Sequence, residues 1–284
     1  MTRVLIGVLA LLLVLAGAAM VTRAGAALPD VTPLARRVPA RTALMRQRLE
    51  EARVAGRSAR VDQRWLPYES IPPVLRRAVL IAEDDAFFSH GGLDWNEIRA
   101  SVRRNLEAGR LVRGGSTITQ QLAKNLYLGS ERTLTRKLRE MMIAGRLERA
   151  LTKRRIFELY LNLIEWGDGV YGIEAAAERH FGVPADALDA RQAALLAAVI
   201  INPRRFDPAH PVRRIERRAR MILTRMWRRG QLTEAEYRVA TGQAPAAPAW
   251  EWNPFARHPD TTAPGPETTA APPDSAAAAD SLPH

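Results

Sequence analysis

The chain has 284 residues, with 42 Lys and Arg against 30 Asp and Glu, a net charge of +12 and no cysteine. That length builds a substantial core in one or two domains, and the missing cysteine excludes a disulfide framework. The positive excess calls for an anionic partner, either a nucleic acid or a membrane surface.

Val4 to Val21 is an uncharged run of about eighteen residues dominated by Leu, Val and Ala, near the lower limit for crossing a bilayer. It reads as one N-terminal transmembrane anchor, residues 1–23, and turns the expected partner from nucleic acid to membrane. A cleaved signal peptide is the rival reading, with Arg3 as its basic region and Ala24-Gly25-Ala26 as its cleavage site. The length of the run, and Arg23 just before the small residues, weigh against cleavage. Arg3 on one side faces Arg23, Arg36 and Arg37 on the other, so local charge does not orient the segment. Residues 24–64 are a basic juxtamembrane segment, amphipathic from Leu44 to Val54, read as a stalk or as a helix lying along anionic headgroups.

Residues 65–243 carry the folded domain. Ile71-Pro72-Pro73 opens its first core helix, since proline is tolerated in a first turn. Val74, Leu75, Ala78, Val79, Ile81 and Ala82 make that helix apolar on more than one face, as a buried helix is. Glu83 therefore arrives at the end of a buried element. Apolar surroundings push a carboxylate toward its protonated form, which suits a proton acceptor, while an arginine partner is the structural alternative. No second His or Cys lies at ligand spacing from His90, which reads as a structural hydrogen-bonding residue. Leu93 to Leu111, with Trp95, Ile98, Val102 and Leu106, reads as an amphipathic helix, followed by a mobile loop punctuated by Gly109 and Gly114.

The run Arg113-Gly114-Gly115-Ser116-Thr117-Ile118-Thr119-Gln120-Gln121-Leu122-Ala123-Lys124-Asn125 combines a bendable backbone with a helix start. Thr117 and Gln120 have capping-box spacing, so a helix begins here with its N-terminus facing outward. Gln120 and Lys124 are one turn apart, as are Gln121 and Asn125. Free N–H groups, hydroxyls, amides and an ammonium form a receptor for phosphate and sugar oxygens; an ordinary capped surface helix is the plainer alternative.

Thr133 caps the next helix, Leu134 to about Leu151, with Leu138, Met141, Met142 and Leu147 inward. Arg136 and Glu140 share its other face at i,i+4 salt-bridge spacing. Lys153 to Asn162 is a further helix, in which Glu158, Tyr160 and Asn162 read as scaffold. Glu165 to Gly172 is a glycine-rich turn. Asp189 and Gln192 cap an almost wholly apolar helix, Ala193 to Ile201, expected at the centre of the core. Pro211 to Arg229 is the last long helix, with Val212, Ile215, Ala219, Leu223 and Met226 inward and arginines outward. Thr233 with Glu236 begins a short successor. Residues 244–284 are a Pro, Ala and Thr-rich tail, disordered by composition.

Four stretches in this order resemble the successive motifs of the peptidoglycan glycosyltransferases. They are Glu83-Asp84-Asp85-Ala86-Phe87-Phe88-Ser89-His90-Gly91-Gly92, the glycine-led run above, Arg136-Lys137-Leu138-Arg139-Glu140, and Lys153 to Asn162. The resemblance spans roughly Ser70 to Pro208. It implies a mainly α-helical, lysozyme-like fold, two lobes around a central cleft with at most a small hairpin, and makes residues 65–243 the catalytic domain.

The activity it implies is polymerisation of lipid II by β-1,4 linkage with inversion and release of undecaprenyl pyrophosphate. By match to the motifs, Glu83 is the catalytic base and Glu140 the second catalytic carboxylate. Glu140 either holds a divalent cation, Mg²⁺ or Mn²⁺, on the pyrophosphate or orients the cationic side chains. Lys124, Arg132, Arg136 and Lys137 bind pyrophosphate, and Ser116, Gln120, Gln121 and Asn125 orient glycan and phosphate. Asp84, His90, Glu158 and Asn162 support the site. No organic cofactor is implied. The implied partners are lipid II, the growing lipid-linked glycan, the membrane and other cell-wall synthesis proteins, not nucleic acid. The implied location is the bacterial cytoplasmic membrane, single-pass, with the catalytic domain on the periplasmic side. No penicillin-binding Ser-x-x-Lys domain follows, so polymerisation is expected to stand alone.

Two departures, His180 in place of a common tyrosine and Ile201 before Asn202-Pro203, touch packing rather than chemistry. A muramidase-like hydrolase would leave the clustered Lys and Arg without a pyrophosphate to meet. A non-catalytic basic membrane-surface protein would leave the ordered Glu-containing motifs without a reason.

Overall fold

The computed structural model describes residues 2–26, 28–58, 60–94, 99, 103, 106–107, 115–129 and 133–242. Most of the expected helix Leu93–Leu111, the loop with Gly109 and Gly114, Arg132 and the tail 244–284 lie outside the described residues. The helices are α1 (Thr2–Gly25), α2 (Ala43–Val54), α3 (Pro73–Glu83), α4 (Ile118–Tyr127), α5 (Leu134–Ala150), α6 (Lys153–Leu163), α7 (Ile173–Phe181), α8 (Ala190–Val199), α9 (Arg213–Arg228) and α10 (Glu234–Thr241). Their starts follow local chemistry. Pro73 opens α3 behind Pro72, and side-chain caps from Thr117, Thr133, Asp189 and Thr233 open α4, α5, α8 and α10.

The helices pack in two groups. In one, α8 lies against α3, α9 and α10, and α9 also touches α3 and α10; in the other, α4 lies against α2, α5 and α6, with α1 on α5. Every residue from Ala193 to Val199 on α8 is buried. Its alanines let α3 and α9 approach closely, and each fully buried Leu or Ile contributes roughly 1.5–3 kcal/mol relative to exposure. Both groups feed one contiguous core containing Leu75, Phe87, Leu122, Ile143, Leu147, Phe157, Trp166 and Leu196.

A three-stranded sheet packs against α7, in the order β1-β3-β2: β1 (Asp62–Gln63), β2 (Glu165–Gly167) and β3 (Val170–Tyr171). β2 and β3 form the expected small antiparallel hairpin, and β1 adds to β3 in parallel from more than a hundred residues away. The turn needs glycine. Gly169 has φ +75°, and a Cβ there would sit 2.5 Å from the Arg60 carbonyl oxygen.

Three expectations change. The segment 24–64 is not a free stalk: Val31, Leu34 and Met45 are buried in the core and α2 packs on α4. On α5 the buried stripe is Glu140, Ile143, Ala144 and Leu147, while Leu138, Met141 and Met142 are half-buried. The stripe that includes Glu140 faces α4, so the carboxylate is turned into the protein instead of outward. On α9, Val212 is the N-cap and is 52% exposed. No helix among the described residues is long and apolar enough to cross a membrane. The apolar run is nonetheless helical, and Leu5, Ile6, Leu11, Leu12, Val14, Leu15 and Val21 are exposed along α1.

Candidate active site

The site lies where the two helix groups meet. Glu83 closes α3 from the first group, and its Oε2 accepts from Gln121 Nε2 on α4 of the second at 2.9 Å. Its Oε1 accepts from Arg218 Nη2 on α9 at 2.9 Å. The arginine partner, rather than a purely apolar surround, is what receives this carboxylate. Tyr160 donates its hydroxyl to Gln121 Oε1 at 3.0 Å, which fixes the amide with its NH₂ toward Glu83. Burial, with Glu83 and Asp84 nearby, holds the Tyr160 hydroxyl well above its ordinary range, so it stays a neutral donor.

Asp84 works from inside. Its Oδ2 accepts the Ile118 amide at 3.0 Å, at the first residue of α4, and His90 Nε2 lies 2.9 Å from Oδ1. Thr117 and Gln120 close the capping box reciprocally, and Thr117 Oγ1 also donates to the Gly92 carbonyl at 2.7 Å. The N-terminus of α4 therefore faces inward. Two of its N–H groups are already taken by Asp84 and Thr117, which removes the expected helix-end phosphate receptor. His90 Nδ1 accepts from the Gly92 amide at 3.2 Å, so the ring proton sits on Nε2 facing Asp84.

The cationic side is built by α4 and α5. Arg136 Nη1 lies 2.8 Å from Glu140 Oε2, and Lys137 Nζ contacts Glu140 Oε1, donates to Ser116 Oγ at 2.9 Å and reaches Gln120 Oε1 at 3.4 Å. Lys124 opens on the groove, yet the walls around it strip away enough water to lower its pKa below the ordinary lysine value; Glu140 opposes this, and Arg136 and Lys137 add to it. Two cavities flank the Glu83–Gln121 bond. One, about 530 Å³, is lined by Glu83, Asp84, Ser116, Thr117, Arg225 and Arg229. The other, about 410 Å³, is lined by Gln121, Lys124, Asn125, Arg136, Tyr160 and Glu165. Glu165 is 5% exposed and burial raises its pKa, with Arg48 Nε 3.2 Å from its Oε2 as the counter-charge.

Of the expected site residues, Glu83, Ser116, Gln120, Gln121, Lys124, Asn125, Arg136, Lys137 and Glu140 converge here, and Arg132 is outside the described residues. Glu158 and Asn162 lie behind the site. Arg155 Nη1 meets Glu158 Oε2 at 2.9 Å, and fully buried Asn162 bonds the Leu66 amide and carbonyl, each at 2.8 Å. A divalent cation on Glu140 does not fit. Both carboxylate oxygens face Arg136 and Lys137, which supply the positive charge a metal would bring. Asp84, His90 and Asp94 offer ligand atoms within 4.8 Å of one another, but both His90 nitrogens are committed to Asp84 and the Gly92 amide. Arg218 lies outside the four motif stretches, whereas Tyr160 lies inside the fourth and was read there as scaffold. Arg218 falls three residues after Ile215 and four before Ile222, inside the apolar stripe of α9, and that position was the available signal.

Residues 50–227 match the family model described as Transglycosylase. The chain belongs to the transglycosylase family. The biosynthetic peptidoglycan transglycosylase of Nitrosomonas eutropha is 48% identical over 188 residues, 66% of this chain and 77% of that one. That of Nitrosospira multiformis is 46% identical over 66% of this chain and 82% of its own, and that of Alcanivorax borkumensis 51% identical over 61% and 70%. Penicillin-binding protein 1A of Haemophilus influenzae is similar over 46% of this chain and 16% of its own, at 27% identity and a TM-score of 0.30, too loose a match to argue from. As a transglycosylase the protein is an enzyme of the glycosyltransferase class, and its site has a carboxylate on one side and a basic wall on the other.

Proposed function

We propose that this transglycosylase polymerises lipid II into glycan strands, with Glu83 as base and the Lys124, Arg136 and Lys137 wall receiving the diphosphate. The observation that carries the reading is the direct bond between Glu83 and Gln121, which sets the acid-base group and the cationic groove side by side. An acceptor hydroxyl oxygen attacks the anomeric carbon of the donor. Its proton passes to Glu83, and the anomeric C–O bond to pyrophosphate breaks with inversion. The leaving group departs as a stabilised anion, so it needs fixed cations and donors more than a proton. Glu140 keeps Arg136 and Lys137 in place between turnovers. Hydrolysis would leave this wall with no diphosphate to meet.

The catalytic body reads as two lobes in the lysozyme manner, one around α8 and the other around α4, with the groove between. Supporting a membrane anchor at residues 1–23 are the uncharged run Val4–Val21 and the exposed apolar side chains of α1, a helix of 24 residues. The body then sits on the periplasmic side, with lipid-linked donor and acceptor arriving from the membrane plane and other cell-wall synthesis proteins as neighbours.

The test is Glu83→Gln, assayed for polymer from lipid II and for fold by circular dichroism. The expected outcome is a folded protein with polymerisation lowered at least about a hundredfold, the lower range for loss of a general base. Polymer at near wild-type rate would exclude Glu83 as base.

A further inference from the structure

Arg218 lies outside all four motif stretches, on α9, yet it touches the proposed base directly. One nitrogen, Nη2, is 2.9 Å from Glu83 Oε1 and 3.1 Å from the Ala82 carbonyl, so a single group ties both the side chain and the last turn of α3. The pair is largely shielded: the Glu83 side chain is 11% exposed and Arg218 23%. Arg218 Nε is buried with no hydrogen-bond partner. A guanidinium placed this way spends stability on an unsatisfied donor, which the helix packing alone does not call for.

We propose that Arg218 is a positioning residue for the base: it holds the Glu83 carboxylate ionised and, with Gln121, turned to meet the incoming hydroxyl. The inference rests on Glu83 being the base. A base must be ionised before it can take a proton, and a guanidinium in contact favours the ionised form. The surrounding charges make that contribution necessary. Asp84, Asp85 and Asp94 line the cavity on which Glu83 opens, and like charge on that side favours protonating Glu83. Asp85 is matched by Arg229, and Asp84 is bonded to His90 and the Ile118 amide. Arg225 lines the same cavity, Lys124 acts on Glu83 from the other side of Gln121, and Tyr160 is neutral. Arg218, by contrast, is in hydrogen-bond contact with the carboxylate.

The experiment is polymerisation of lipid II across a pH series by wild type, Arg218→Gln, Arg218→Met and Arg218→Lys, with fold checked by circular dichroism. In the neutral variants Glu83 protonates more readily, so the acid limb of kcat is expected to move up by at least about one pH unit, with the rate recovering as pH rises. Arg218→Lys, which keeps the charge, is expected to stay closer to wild type than either. Donor KM is expected to change less than about twofold, because Lys124 and Arg136 are untouched. Whichever neutral variant folds is the one read. An acid limb at the wild-type pH in that variant overturns the proposal, as does a limb displaced as far in Arg218→Lys as in Arg218→Gln. Glu83→Gln, run alongside, separates the two readings: activity there refutes the base itself, whereas inactivity with an unmoved Arg218→Gln limb refutes only the role of Arg218.

Discussion

Lys124 shows how one side chain is set by its surroundings. It opens on the groove beside Arg136, Lys137 and Glu140, and crowding by the walls lowers its pKa from the ordinary 10.5. The ammonium is the donor-binding form, so donor use is expected to fall as pH rises through a value below that of a free lysine. A guanidinium stays protonated across that range, so the Lys124→Arg variant is expected to lose this alkaline limb while keeping donor binding. Lys124→Ala removes a charged hydrogen-bond donor worth about 1.5–3 kcal/mol, roughly a tenfold to hundredfold drop in kcat/KM for the donor. Initial rates against donor concentration across the alkaline range check both, and an alanine variant with wild-type donor kinetics would remove Lys124 from the diphosphate wall.

At the scale of elements, the junction of α3 and α4 decides whether base and wall stand in register. Asp84, one residue after α3, accepts the first amide of α4 and is clamped by His90. A carboxylate at a helix N-terminus is favoured by the helix dipole as well as by the hydrogen bond. Asp84→Ala is expected to cost about 1.5–3 kcal/mol, the range for a hydrogen bond to a charged group, and to lower kcat because Gln121 drifts from Glu83. Denaturant melts with parallel rate measurements test this; full stability in the variant would mean that α4 is held without Asp84. The same junction explains why the N-terminal N–H groups of α4 are not a phosphate receptor. A capping pattern such as Thr117-x-x-Gln120 locates a helix start, but whether that start meets water or another carboxylate depends on what α3 brings to it. The orientation of α5 was equally hidden. Arg136 and Glu140 share a face whichever way the helix turns, and contact with α4 puts Glu140 inside.

Taking the molecule as a whole, the exposed apolar side chains of α1 contrast with the charged surface of the body. If α1 is the anchor, a chain lacking residues 1–25 is expected to leave the membrane fraction and to remain folded, since Ala24 alone is buried among the described side chains of α1. Its activity on lipid II in bilayers is then expected to fall far more than its activity in detergent. Fractionation after an alkaline wash checks this, and a truncated chain still in the membrane pellet would place the anchor elsewhere. Local signals in the sequence were enough for the order of the helices and most of their starts, because caps, prolines and apolar periodicity act over a few residues. Motif order was enough for the family and for which acids and cations to watch. Only the tertiary structure decided that residues 28–58 pack on the body, that β1 joins a hairpin more than a hundred residues on, and that Arg218 reaches Glu83. Each of these is a contact between distant parts of the chain, fixed by how α3, α4, α8 and α9 pack, and no short-range pattern encodes which of many arginines will end up against a given carboxylate.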